Sequence, residues 1–84
     1  MNIKVSSYWD VPNQFVIYTY EGRYFQSYDS IIVFIPNDGS PIQLGSDWKF
    51  SSTTSKYRNK SLTETTEGTS MKLDDGIYIL NEDL

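Results

Sequence analysis

The chain predicts an α+β domain: a three- or four-stranded antiparallel meander, one or two short helices after Gly45, and a closing C-terminal strand. Three observations carry that expectation. Two runs rich in β-branched and aromatic residues, Phe15 to Tyr20 and Arg23 to Tyr28, flank the pair Glu21-Gly22. A continuous apolar run, Ile31 to Ile35, stops at Pro36. After Gly45 the strand-like pattern gives way to a Ser/Thr/Lys-rich stretch with helix-start signals.

The first pair of runs reads as a β-hairpin, because a Gly-bearing pair between two β-prone segments supplies the positive φ that a tight turn needs. A two-residue turn would set Tyr20 opposite Arg23, Tyr18 opposite Phe25 and Phe15 opposite Tyr28. The run Ile31–Ile35 fits a central strand buried on both faces better than one with a wet side. Asn37-Asp38-Gly39 then turns the chain, and Pro41 to Leu44 returns antiparallel, with Pro41 placing that strand at an edge. A helix capped by Ser51 or Ser52 is expected to reach about Leu62, with Thr53 and Tyr57 on one face and Trp48, Phe50 and Tyr57 pinning it to the sheet. A weaker helix between about Thr63 and Gly76 would carry Met71 and Leu73, although Gly68 inside it costs about 1 kcal/mol relative to Ala. Ile77 to Leu80 reads as a short strand that needs a partner, and an edge of the meander is the economical one.

With 84 residues the chain makes a single domain over 1–84, and it buries only roughly 60–65% of the surface its unfolded form exposes. Thirteen aromatics, seven of them tyrosine, suit such a thin core, because a phenol buries its ring and leaves its hydroxyl at the wet edge. There is no cysteine and no histidine. Disulfides, thiolate nucleophiles, Cys-type metal sites and imidazole acid–base chemistry are therefore excluded. The N-terminal residues lack an apolar signal-like run, and the longest apolar run is five residues, Ile31 to Ile35, so neither secretion nor membrane association is expected.

Charge is unevenly spread over a net −4. Trp48 to Lys60 holds four basic residues and no acid, whereas Ser61 to Leu84 holds one basic and six acidic residues. Lys49, Lys56, Arg58 and Lys60 are therefore candidate partner contacts, able to neutralise phosphates beside the stacking faces of Trp48, Phe50 and Tyr57. Helical geometry divides them: Lys56 and Lys60 share a face, while Arg58 stands roughly 200° round from Lys56. The overall acidity also opposes non-specific nucleic-acid binding. The acidic third offers a second candidate surface, with Asp74 and Asp75 imitating nucleic-acid phosphates, although a net charge of −4 is ordinary for a small soluble domain. Adjacent acids point apart and cannot flank one bond, so a turn role beside Gly76 is the expectation for that pair. No phosphate loop, calcium loop or nucleophile elbow occurs. Neither enzymatic activity nor a metal or other cofactor is expected.

Two words, Tyr24-Phe25-Gln26-Ser27-Tyr28-Asp29-Ser30 and Trp48-Lys49-Phe50-Ser51-Ser52-Thr53-Thr54-Ser55-Lys56-Tyr57-Arg58-Asn59-Lys60, resemble small proteins of uncharacterised function encoded by bacteriophages and prophages of Gram-positive bacteria. The likeness spans roughly Phe15 to Leu80 in order and spacing. It departs at Ser61-Leu62 and at Thr65-Thr66-Glu67-Gly68-Thr69, where a bulkier residue and a more Lys/Glu-rich helix would be usual. The resemblance implies phage origin, action in the host cytoplasm, and a host-takeover or defence-countering role. A non-enzymatic accessory protein that binds a host macromolecule, most simply a host protein, is the leading expectation. The alternative is a small nucleic-acid-binding module that uses the basic segment 49–60.

Overall fold

The computed structural model describes residues 4–7 and 11–84. They form β1 (Lys4–Ser7), β2 (Gln14–Tyr18), β3 (Gly22–Ser27), β4 (Ser30–Pro36), β5 (Gln43–Leu44), α1 (Ser52–Leu62), α2 (Thr66–Asp74) and β6 (Ile79–Leu80). The strands lie in sequence order in one six-stranded sheet, antiparallel except that β6 runs parallel to β5. The fold is thus α+β, built on a meander with both helices and a short strand after it. Ile79–Leu80 does add to an edge of the meander. That covers β5, which the sequence had placed at the edge. Pro41 lies outside the two-residue strand and so does not oppose the pairing.

The β2–β3 register is shifted by two residues from the expected one. Tyr18 faces Arg23, Val16 faces Phe25 and Phe15 faces Gln26. The cause is Thr19, whose N–H and hydroxyl both donate to the Gly22 carbonyl, at 2.8 and 2.9 Å. This moves the two-residue turn back by one position, to Tyr20-Glu21, and puts Gly22 inside β3. There Gly22 has φ +154°, and a Cβ would lie 2.1 Å from the Ile35 carbonyl oxygen. The strand β1, from Lys-Val-Ser-Ser, carried no signal strong enough to predict it.

Opposite residues of a sheet share a face, so the register sorts the side chains. On one face stand Lys4, Tyr18, Arg23 and Ile35 in one row, and Ser6, Val16, Phe25, Val33 and Leu44 in the next. This is the core face, where Phe25, Ile32, Val33 and Leu44 pack with Tyr57 of α1 and Tyr78, and with the partly buried Trp48, Leu62 and Leu73. A bulge opposite Phe25 and Gln26 leaves Ile32 unpaired. It lets both Ile32 and Val33 enter the core fully buried, which explains the unbroken apolar run differently from burial on two covered faces.

Ser51 caps α1, its hydroxyl accepting from the Thr54 N–H at 3.1 Å, an arrangement worth about 1 kcal/mol. Thr54, not Thr53, is the fully buried threonine of α1. Its hydroxyl meets that of Ser27 at 2.8 Å, fixing the helix start against β3. Tyr57 enters the core as expected, whereas Phe50 is 68% exposed and pins nothing. In α2, capped by Thr65, Leu73 packs inward while Met71 stays exposed.

Candidate partner-binding surfaces

The basic segment does not form one patch. Arg58 is fully buried and its guanidinium is committed to the interior. It donates to the Trp48 carbonyl, to Ser55 Oγ at 3.4 Å, to Asn59 Oδ1 at 2.9 Å and to Thr66 Oγ1 at 2.6 Å. It also lies 5.1 Å from the centre of the Trp48 ring. Burial pulls its pKa below the usual arginine value, opposed by the charge of Glu64. As a candidate contact for a partner Arg58 is therefore corrected to a structural residue, tying the loop before α1 to the start of α2. Lys56 and Lys60 are exposed and both approach the Tyr57 ring, at 5.4 and 5.5 Å. Lys49 is exposed and lies 5.0 Å from the Trp48 ring. The cations thus embrace the aromatic residues that join helix to core.

Asp74 ends α2 and Asp75 caps it, both exposed, with Gly76 following at φ +75°. They occupy the turn expected of them. Beside them lies a polar network absent from the sequence reading. Glu64 accepts from the Tyr78 hydroxyl, from Thr69 Oγ1 at 2.8 Å and from Lys72 Nζ at 3.2 Å. Burial pushes the Glu64 pKa up, but the hydrogen bonds from Tyr78, Thr69 and Lys72 outweigh it and hold the carboxyl below its ordinary value. Burial, then the Glu64 contact, raises the Tyr78 phenol, and Lys72 is held up by its hydrogen bond to Glu64.

The sign of the resulting pH effect is fixed. A carboxyl whose pKa falls on folding adds stability above the unfolded value, and that stability is lost as pH drops through the folded value. The urea midpoint should therefore decline as pH falls below the ordinary glutamate value of 4.5, and Glu64→Gln should flatten that decline. Parallel acid profiles for the two proteins would show that the network does not depend on the charge.

The second sheet face is the surface that sequence reasoning missed. One row crosses all six strands: Val5, Ile17, Tyr24, Phe34, Gln43 and Ile79. A shorter row holds Ser7, Phe15, Gln26 and Ile31. Neither row contains a charged residue. Both helices contribute to the core on the other side, through Tyr57 and Leu73, and among the described residues no helix covers this face. Tyr24 and Phe34 stack across it with ring centres 4.5 Å apart, which leaves Phe34 8% exposed, while Val5 and Ile79 are 58% and 46% exposed.

All seven basic residues lie elsewhere: Lys4 and Arg23 on the core face, the rest on the helices or the loop before them. Acids stand at the ends of the strands instead, with Glu21 and Asp38 in the turns at one end and Asp29 and Asp47 in those at the other. The result is an uncharged apolar plateau flanked by carboxylates. No helix among the described residues is long and apolar enough to cross a membrane.

Comparison with known proteins gives a family and no activity. A family model described as "Family of unknown function (DUF8033)" matches residues 4–76, taking in β1 to α2 and stopping before β6. No curated protein and no solved structure matches the chain.

Proposed function

The chain belongs to the DUF8033 family of unknown function, and we propose that it is a non-enzymatic accessory protein of phage origin that binds a host protein in the host cytoplasm. The phage origin rests on the two sequence words described above. The mode of action rests on the open sheet face. An uncharged apolar surface with Val5, Ile17, Tyr24 and Ile79 at least partly exposed and acids at its ends is complementary to an apolar patch ringed by Lys and Arg. Host surfaces that hold nucleic acid have such basic rims. Two copies of this chain would meet acid against acid, which disfavours self-association through the same face. The basic segment favours a nucleic-acid module less, since Arg58 is spent inside the fold.

Affinity capture from host cells, with defined variants, tests the proposal. A single point charge within the plateau, Ile17→Lys, or at its edge, Val5→Lys, should lower the amount of captured partner about tenfold or more. Circular dichroism checks that each variant is folded. Lys56→Glu, on the helix side, should leave capture unchanged. Capture that survives both plateau variants but is lost with Lys56→Glu would overturn the proposal, as would steady turnover of a substrate by the purified chain.

A further inference from the structure

A cleft of about 310 Å³ opens on the core face where α1 leaves the β1–β3 corner of the sheet uncovered, lined by Ser6, Val16, Tyr18, Arg23, Phe25 and Ser61 among others. We propose that it is a binding site for a nucleoside monophosphate, with the base against the Tyr18 ring and the phosphate held by Lys4 and Arg23. Most of its lining stands on the core face, and Ser7 and Tyr24 of the opposite rows also line it.

The register builds the phosphate grip. Lys4, Tyr18 and Arg23 are direct cross-strand partners on β1, β2 and β3, so the two cations flank the tyrosine with backbones about 10 Å apart, two strand spacings. Arg23 lines the cleft, Lys4 the adjoining hollow and Tyr18 both, so an anion placed over Tyr18 is within reach of both long side chains. Among the described residues neither cation forms an ion pair; the ion pair found there is Lys72–Glu64. Two unpaired like charges in one row repel, and an anion between them relieves that repulsion. They form a local positive corner on a protein whose net charge is −4.

The rest of the cleft suits a nucleoside rather than a bare anion. Tyr18 is 47% exposed and lines a second hollow with Lys4, Thr19 and Tyr20. Its ring is therefore accessible to a stacking partner, and every base has a π-face to offer. Val16 and Phe25 add apolar wall. Ser61, on the last turn of α1, lines the cleft with a hydroxyl that is buried and has no hydrogen-bond partner. A ribose hydroxyl is the kind of group that would satisfy it. The cavity is at the small end of the roughly 300–1,000 Å³ typical of small-molecule sites. A single nucleotide fits that scale, whereas a polynucleotide would carry further phosphates towards an acidic protein.

Isothermal titration of the full chain with adenosine monophosphate tests the site, with adenosine, inorganic phosphate and a single-stranded oligonucleotide as comparisons. Saturable binding of the monophosphate is expected, with adenosine and phosphate each about tenfold weaker or more, since each keeps half of the contacts. Arg23→Ala and Tyr18→Ala should each weaken it by a similar factor, while Lys49→Ala should not. Both altered residues are exposed, so the variants are expected to fold, and circular dichroism checks this. No saturation up to roughly 10 mM, inorganic phosphate binding as tightly as the nucleotide, or indifference to both variants would overturn the assignment. An oligonucleotide that binds far more tightly than the mononucleotide would replace it with a strand-binding surface. None of these failures bears on the plateau of the opposite face.

Discussion

Arg58→Ala should destabilise the domain by about 2–4 kcal/mol, because it leaves several buried acceptors without their charged donor. For a chain of 84 residues, total stability is of the order of 4–12 kcal/mol, so a large part of that margin would be lost. The mechanism is specific. The guanidinium draws together the Trp48 carbonyl, Ser55, Asn59 and Thr66, and without it these acceptors lose their donor in a region that excludes water. Arg58→Lys should recover little, because a single ammonium cannot present the forked set of donors that reaches both the Trp48 and Thr66 sides. Urea titration followed by tryptophan fluorescence checks both variants, since Trp48 itself lies against the guanidinium. A loss below about 1 kcal/mol, the range of ordinary surface substitutions, would return Arg58 to the surface as a candidate partner contact.

Gly22→Ala should cost about 2–4 kcal/mol, combining a strained backbone with a steric collision. The added Cβ would sit 2.1 Å from the Ile35 carbonyl oxygen and 2.9 Å from Phe34 Cε1, at φ +154°. Ile35 stands on the core face and Phe34 on the plateau, so no small shift of β4 relieves both contacts at once. Gly39 is the internal comparison. Its φ is +83°, but nothing lies within 4 Å of a Cβ there, so Gly39→Ala should cost only the backbone term, about 1–2 kcal/mol. Equal unfolding midpoints for the two variants would show that the β3–β4 pairing yields, and that the close approach at Gly22 is not a constraint.

Much of the fold was legible because local chemistry decides it. Ser51 as cap and Leu62 as last anchor bounded α1, and the helical period alone separated Arg58 from Lys56 and Lys60. The hairpin was legible but its register was not, because the Thr19 side chain closes the turn from outside the Glu21-Gly22 pair. That slip matters for the cleft, since the row Lys4–Tyr18–Arg23 exists only in the observed register. The bulge at Ile32 was likewise hidden, as five apolar residues in a row look the same with or without it. The plateau could not be read at all. Alternation tells that a strand has two faces, but which one the helices cover is settled by contacts such as Ser27 with Thr54, far apart in sequence.

The parallel pairing of β6 with β5 sets an order of folding events. The other ladders join neighbours through short connections, whereas Gln43 meets Ile79 only after the segment containing both helices has been brought round. Closing a long loop costs entropy before any contact rewards it, so the meander is the part that forms early and β6 docks last. Tyr78, next to β6, carries the hydroxyl that reaches Glu64. Its arrival therefore couples sheet closure to the α1–α2 junction, and the final step of folding works as a latch that joins the two layers.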